Sequence, residues 1–188
     1  MKRLFIAINL SDDFKEILAD RQKEIKMNFE TDPVKWVSKE NLHITLAFLG
    51  PTKEDLVKGL TKELEEINFS KFEIFPEEIS YQPNRREAKL IWLSVNSEGL
   101  EKLKEKVDEV LKNSKWINYS PDYDQFKPHI TLGRVKSFNF KRMSREEIPL
   151  LEDEYINYNF NVDSFELMAS KLKKGGPSYE RVKSFKVD

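Results

Sequence analysis

The chain has 188 residues, with 32 lysines and arginines against 33 aspartates and glutamates, so its formal charge at pH 7 is −1. This length suits one domain or two small lobes, and the balanced charge disfavours a protein that coats nucleic acid. Because cysteine is absent, disulfide frameworks, zinc–thiolate sites, iron–sulfur clusters and thiol nucleophiles are excluded.

The first two predicted elements are a strand and a helix. Residues 4–8 are largely apolar on both alternating faces, which predicts a strand buried on both sides and central in a sheet. Ser11, followed by two aspartates, has the residue type that caps the start of a helix. The apolar residues that follow at helical spacing are Phe14, Ile17, Leu18 and Ile25.

Two further helices are predicted from capping residues followed by apolar stripes. Thr52 and Asp55 stand at capping-box spacing, and the stripe after them is Leu56, Val57, Leu60, Leu64 and Ile67. A third helix is predicted to start near Ser97, with a stripe formed by Leu100, Leu103, Val107, Val110 and Leu111. The simplest interpretation of all three stripes is that they pack in the core.

The segments between the helices have the composition of strands. They are residues 35–37, 42–49, 72–81, 88–96, 129–135, 155–170 and 179–187. Several follow one another without a helix between them, which predicts antiparallel hairpins and an α+β fold. No low-complexity linker divides the chain, so residues 1–188 are predicted to form a single domain. No apolar run approaches the roughly 18 residues of a membrane span, and we expect a cytoplasmic protein.

Both histidines of the chain lie in an identical tetrapeptide, His-Ile-Thr-Leu, at positions 43–46 and 129–132. Residues i and i+2 of a strand share one face, so His43 is predicted to lie beside Thr45, and His129 beside Thr131. The isoleucine and leucine of each copy then occupy the opposite, apolar face. Two copies predict two similar lobes around an approximate two-fold axis. Such an axis would oppose the two His/Thr faces across a cleft.

This residue set suits acid–base chemistry on a phosphodiester. Two imidazoles with pKa near 6.5 can divide the work at neutral pH, one accepting a proton and the other donating one. The two hydroxyls can donate hydrogen bonds to phosphate oxygens. Arg134, three residues after Thr131, can add a fixed positive charge if the end of the strand bends inward.

Other interpretations of the repeat are weaker. A single strand histidine is often only a hydrogen-bonded structural residue, but the identical pairing argues against that interpretation. A zinc site would need carboxylates at ligand spacing, and neither copy has one, so no metal site is predicted. A serine hydrolase is disfavoured because no G-x-S-x-G elbow occurs.

The repeat resembles the signature of the 2H phosphoesterases, two copies of H-x-[ST] in strands. Within that superfamily the chain is similar to the RNA 2',3'-cyclic phosphodiesterases of bacteria and archaea, historically called 2'-5' RNA ligases. The resemblance covers nearly the whole chain, in segments that keep the family's order. These segments are residues 3–8, 35–37, 40–50, 126–134, 170–172 and 175–179.

The resemblance implies a bilobal α+β fold, with two pseudo-symmetric antiparallel sheets and flanking helices around a central cleft. It also implies metal-independent hydrolysis of a ribose 2',3'-cyclic phosphate to a 2'-phosphate without a cofactor. Reverse 2'-5' ligation then follows from microscopic reversibility. By the same resemblance, His43 is the general acid that protonates the 3'-oxygen, and His129 is the general base that activates water.

The resemblance also implies substrate-binding roles. Thr45 and Thr131 bind the non-bridging oxygens, and Arg134 contacts the phosphate. Phe48 stands five residues after its histidine, as Arg134 does, and it either stacks on a base or packs beneath the catalytic strand. Of these two interpretations of Phe48, core packing is the expectation.

The expected partners are RNA 3' ends or nucleotides with a 2',3'-cyclic phosphate, with no membrane contact and a monomeric chain. Residues 171–186 hold six basic residues against one acid, so they form either a rim that guides a polyanion or a solvated hairpin. Further basic candidates are Lys127, Arg85 and Arg86. The aromatic stacking candidates, each more simply explained by packing, are Tyr81, Trp92, Phe126 and Tyr179.

Two alternative functions stay open. The first is an RNA-end binding module that kept the fold and lost turnover, which the intact H-x-T in both copies disfavours. The second is the same chemistry on a small nucleotide, such as a 2'-5'-linked dinucleotide or an ADP-ribose cyclic phosphate. The sequence does not separate this second alternative from action on RNA.

Overall fold

The computed structural model describes residues 1–121, 126–151, 156–173 and 176–187. Its strands are β1 (Lys2–Asn9), β2 (Val34–Trp36), β3 (His43–Thr52), β4 (Phe72–Gln82), β5 (Leu90–Asn96), β6 (His129–Val135), β7 (Phe160–Val162), β8 (Ser164–Lys173) and β9 (Gly176–Lys186). Its helices are α1 (Asp12–Met27), α2 (Glu54–Leu64), α3 (Glu98–Asn113), α4 (Ser137–Phe140) and a 3-10 turn (Lys39–Asn41). The predicted α+β class is confirmed.

The strands form one antiparallel sheet in the order β7-β4-β5-β6-β3-β1-β8-β9, with β2 paired to β6. The two strands that begin with His-Ile-Thr-Leu, β3 and β6, are neighbours at its centre. Their one register pair among the described residues joins Ile44 to Ile130, which are equivalent positions of the two copies. A local two-fold axis through this pair would produce such a match.

The core lies between the helices and one face of the sheet. Residues 4–8 are all buried and β1 lies between β3 and β8, as the sequence predicted for a central strand. Ser11 caps α1 by accepting from the Phe14 amide at 3.3 Å, and Ser97 caps α3 by accepting from the Leu100 amide at 3.3 Å. The helix starts predicted at these two serines are therefore confirmed.

Two predictions about α1 and α2 were wrong. Ile17 is 39 % exposed, because the buried stripe of α1 runs through Leu18 and Gln22 and leaves Ile17 at its edge. Thr52 does not cap α2, because β3 continues through it and its hydroxyl donates to the Gly50 carbonyl at 3.4 Å. The helix begins at Glu54 instead, without a side-chain cap.

The strand predicted over residues 155–170 is divided into β7 and β8, and Tyr155 lies outside the described residues. β7, at one end of the strand order, pairs with β4, whereas β8 pairs with β1 and β9, so the chain crosses from one end of the order to the last strand but one across Asp163. Only a strongly curled sheet allows this step within one residue. The curl makes the face opposite the helices concave.

Candidate active site

The four polar residues of the repeat meet on the concave face. Ile44 and Ile130 are fully buried, and residues opposite each other in an antiparallel pair project to the same side. One step along each strand therefore places His43 near Thr131, and Thr45 near His129, on the face away from the core. The structure thus brings together the four residues that the sequence selected.

Each histidine is held through Nδ1 by the chain that leads into its strand. His43 Nδ1 is 2.6 Å from the Asn41 carbonyl oxygen, and His129 Nδ1 is 2.7 Å from the Lys127 carbonyl oxygen. A carbonyl can only accept, so Nδ1 carries the proton in both rings. In the neutral rings Nε2 is therefore the proton acceptor, and the Thr45 hydroxyl, 3.0 Å away, donates to Nε2 of His43.

Aromatic rings enclose His43. The Phe5 ring centroid is 5.2 Å from the His43 centroid, and Tyr179 meets the same imidazole edge-on at 5.2 Å. Burial lowers the pKa of His43 to about 4, and the Asn41 carbonyl only partly opposes this effect. The charges of Arg134 and Lys15, and that of His129 when it is protonated, lower the pKa of His43 further.

Among the described residues, one aromatic ring contacts His129. The Trp92 ring lies 4.1 Å from the imidazole, centroid to centroid, with 33° between the planes. Burial lowers the pKa of His129 as well, the Lys127 carbonyl opposes the shift, and the charge of Arg134 adds to it. Both histidines are consequently neutral at pH 7 in the free protein.

A β-bulge follows each His-Ile-Thr at the same leucine. Between β1 and β3 the register passes from Ala7–Thr45 to Ile6–Ala47, so Leu46 is the extra residue. Between β5 and β6 it passes from Trp92–Thr131 to Ile91–Gly133, so Leu132 is the extra residue. A bulge reverses the side on which the later residues of a strand project. The repeat therefore includes this backbone irregularity.

The two bulges bring Arg134 and Phe48 onto the concave face. Without them, simple alternation would place both residues on the face opposite the threonines. Arg134 is exposed, and its charge acts on both histidines. Phe48 is 51 % exposed, with its ring centroid 6.3 Å from that of Phe5. The expectation that Phe48 packs in the core was therefore wrong, because the bulge at Leu46 turns the side chain outward.

Gln22 fixes the bulge of the second copy from the core side. Its side-chain amide donates to the Leu132 carbonyl at 2.7 Å and to the Val37 carbonyl at 2.9 Å, and the residue is 6 % exposed. Both amide hydrogens are thereby used. Gln22 was not among the residues predicted from the sequence, although a glutamine between Leu18 and Ile25 on an apolar stripe was a readable signal.

Replacing Gln22 with leucine is expected to lower the free energy of unfolding by about 1–2 kcal/mol, because the Val37 carbonyl loses this donor and the Leu132 carbonyl keeps only the Val37 amide. Lys23→Leu, an exposed neighbour on α1, is the matched control and should change this free energy by less than about 0.5 kcal/mol. Urea denaturation of both variants provides the measurement. Equal stability of the two variants would contradict the role assigned to the amide.

Several of the other sequence candidates have structural partners. In the basic stretch, Lys171 pairs with Glu180 at 2.5 Å and Lys183 with Glu65 at 2.9 Å, whereas Lys174 lies outside the described residues. Arg85 donates to the Arg145 and Ile148 carbonyls. Tyr81 is buried, and Phe126 lies under Lys104 at 5.5 Å. Of the four aromatic candidates, Trp92 and Tyr179 contact the histidines.

Two features are absent from the described residues, a metal-binding cluster and a membrane-spanning helix. These residues hold no cluster of three or more histidine, aspartate or glutamate side chains that could bind a metal ion. None of the described helices has the length and apolar character to cross a membrane.

Comparison with known proteins identifies the family of the chain. The model of the family described as LigT like Phosphoesterase matches twice, over residues 8–92 and 93–179. The chain belongs to this family. Each LigT-like match contains one His-Ile-Thr-Leu copy, in agreement with the repeat noted in the sequence.

The LigT-like relatives match over nearly their full length. A protein of Archaeoglobus fulgidus named RNA 2',3'-cyclic phosphodiesterase is 34 % identical over 187 residues, covering 97 % of this chain and 99 % of the relative. A protein of Methanocaldococcus jannaschii with the same name is 30 % identical over 183 residues, with 97 % and 99 % coverage. The crystal structure of E. coli LigT in apo form superposes with a TM-score of 0.78 at 25 % identity, covering 99 % of this chain and 97 % of LigT.

Proposed function

We propose that this protein hydrolyses 2',3'-cyclic phosphate ends of RNA to 2'-phosphates by metal-independent two-histidine catalysis. The observation that carries the proposal is the convergence of two identical His/Thr pairs on the concave face at the junction of β3 and β6. Several curated relatives are named RNA 2',3'-cyclic phosphodiesterase, which supports the substrate class.

In the proposed step a water molecule attacks phosphorus opposite the 3'-oxygen. Nε2 of His129 takes a proton from the water as the new P–O bond forms, and the bond from phosphorus to the 3'-oxygen breaks. Nε2 of His43 gives its proton to that leaving oxygen. The product is a 2'-phosphomonoester with a free 3'-hydroxyl. Overall, His129 has gained one proton and His43 has lost one.

The ionisation state of His129 in the free protein directly supports its role as the general base. His129 is neutral at pH 7 with its Nε2 lone pair available, as a general base requires. His43 must first gain a proton, which its burial opposes. A bound phosphate anion supplies the negative charge that raises the pKa of His43, so substrate binding and protonation of the acid are coupled.

The remaining site residues bind and orient the substrate in the proposal. Once His43 is protonated its Nε2 no longer accepts from Thr45, and the hydroxyls of Thr45 and Thr131 donate to the two non-bridging oxygens, where negative charge concentrates as the water attacks. The exposed guanidinium of Arg134 offers a bidentate contact to the same phosphate. The exposed ring of Phe48 provides a stacking surface for the terminal base.

The proposal extends to the cellular setting. The protein acts as a cytoplasmic monomer on RNA ends, without a cofactor, and residues 1–188 form one domain of two lobes that meet at β3 and β6. A 5'-hydroxyl that attacks phosphorus in place of the water would be joined to the cyclic end through a 2'-5' linkage, with the same proton transfers and the same 3'-oxygen as leaving group. In water, hydrolysis dominates.

The purified protein is expected to open a nucleoside 2',3'-cyclic phosphate in excess EDTA and to give only the 2'-phosphate. Phosphorus NMR or chromatography against authentic 2'- and 3'-nucleotides identifies the product. A 3'-phosphate product would reverse the assignment of the leaving oxygen, and a requirement for added metal would overturn the metal-independent step. Tight binding without turnover would identify a binding module instead of an enzyme.

A further inference from the structure

Lys35 occupies a distinctive place beside the site. In the pairing of β2 with β6 it lies directly opposite Arg134, while the flanking pairs, Val34–Val135 and Trp36–Gly133, face the core. The side chains of Lys35 and Arg134 therefore project to the same concave face, and both residues are exposed. Lys35 was not among the site residues predicted from the sequence.

The Lys35 side chain ends at the opposite side of the concave face. We call residues 176–179, at the start of β9, the β9 wall. A Cβ atom placed on Gly176 would lie 3.2 Å from Nζ of Lys35, and the φ of +133° at Gly176 strongly favours glycine. The Asn41 amide donates to the Pro177 carbonyl at 2.8 Å, which fastens the same wall beside His43.

The local charge is unusual for a sheet. Like charges directly opposite each other on neighbouring strands destabilise the pair. No carboxylate lies within ion-pair distance of Lys35 or Arg134 in the described residues, whereas nearby Lys39 pairs with Glu16 and Lys136 with Asp32. Two unneutralised cations on one face suit a ligand that carries more than one negative charge.

The position of the Lys35 ammonium group indicates which phosphate of the substrate it can bind. Tyr179, at the far end of the β9 wall, contacts His43, and Gly176 lies three residues earlier, or about 10 Å along an extended strand. The ammonium group is thus displaced from the histidines along the wall. That displacement suits the next phosphate along a nucleic-acid chain and not the reacting one.

We propose that Lys35 binds the phosphodiester on the 5' side of the terminal nucleotide, so that it makes the site select RNA ends over mononucleotides. This inference rests on the proposed function. It assigns Arg134 to the reacting phosphate and Lys35 to its neighbour. A substrate with a single phosphate leaves Lys35 without a partner.

The test compares adenosine 2',3'-cyclic phosphate with the dinucleotide ApA ending in a 2',3'-cyclic phosphate. Lys35→Gln should raise the KM of the dinucleotide about 5- to 50-fold with little change in kcat, because the contact is uniform binding. The mononucleotide kinetics should stay within about 2-fold. Lys183→Gln, which removes the same charge from a residue paired with Glu65, is the control and should change neither substrate.

A neutral methylphosphonate linkage in the dinucleotide completes a double-mutant cycle between protein and substrate. With this analogue the KM of the wild type should rise towards the value for the mononucleotide. The KM of Lys35→Gln should not rise further when the charged linkage is replaced. An equal loss on the mononucleotide would place Lys35 at the reacting phosphate, and no loss on either substrate would remove it from the site; both outcomes overturn the inference. Failure of the wild type to open any cyclic phosphate would instead overturn the proposed function.

Discussion

Replacing His43 or His129 with alanine is expected to lower kcat by about 100- to 10,000-fold, because each removes one proton transfer from a step that needs two. The double variant should lose little beyond the more damaged single variant, since the histidines act as one unit. Steady-state kinetics on a nucleoside 2',3'-cyclic phosphate provide the measurement. Near wild-type activity in either single variant would contradict the mechanism.

A substrate with sulfur in place of the 3'-bridging oxygen distinguishes the general acid from the general base. A thiolate leaves with little need for protonation, because its ordinary pKa of about 8.5 is far below that of an alkoxide. The variant that lacks the acid should therefore recover most of its rate on this substrate, whereas the variant that lacks the base should not. Recovery in His43→Ala supports His43 as the acid, and recovery in His129→Ala would exchange the roles. Circular dichroism spectra matching the wild type control for folding.

The protein should lose stability in acid because of His43. Its pKa in the folded state is about 4, below the ordinary histidine value near 6.5 that applies to the unfolded chain. Protonation is therefore easier in the unfolded chain, and this contribution to stability is complete above pH 6.5 and is lost as the pH falls towards 4. The loss at pH 4 is expected to be on the order of 3 kcal/mol.

Urea denaturation between pH 7 and pH 4 measures this effect when His43→Gln is compared with the wild type. The glutamine variant keeps a polar side chain but cannot titrate, so its free energy of unfolding should fall less steeply with pH. Carboxylates elsewhere titrate in both proteins, and the difference between the two curves isolates His43. Parallel curves would show that His43 does not have the lowered pKa that its burial indicates.

The period-two alternation of the two strands was sufficient to predict that the four central residues of the site share one face. Because His43, Thr45, His129 and Thr131 precede the bulges, simple period-two reasoning placed them correctly on one face. The two serine caps were equally readable, since each cap is a local contact between residues three positions apart. The local capping pattern at Thr52 was misleading, however, because β3 continues through that residue.

Features that depend on distant pairing were not readable in the same way. The bulges at Leu46 and Leu132 exist only relative to the partner strands β1 and β5, so no periodicity within residues 43–52 or 129–135 reveals them. The exposure of Phe48 and the inward bend expected for Arg134 both follow from these bulges. Lys35 was missed for the same reason, since its position opposite Arg134 is a long-range register.

The pairing of Ile44 with Ile130 has a consequence for the direction of the reaction. The histidines and threonines around this pair are related by approximate symmetry, but a nucleotide end has no such symmetry. A substrate turned through half a revolution would meet the same four groups. What breaks the equivalence is the pair of residues after the bulges, an aromatic Phe48 in one half and a cationic Arg134 in the other. In the proposed enzyme, the identity of the leaving oxygen is therefore decided by these unequal side chains and not by the catalytic residues.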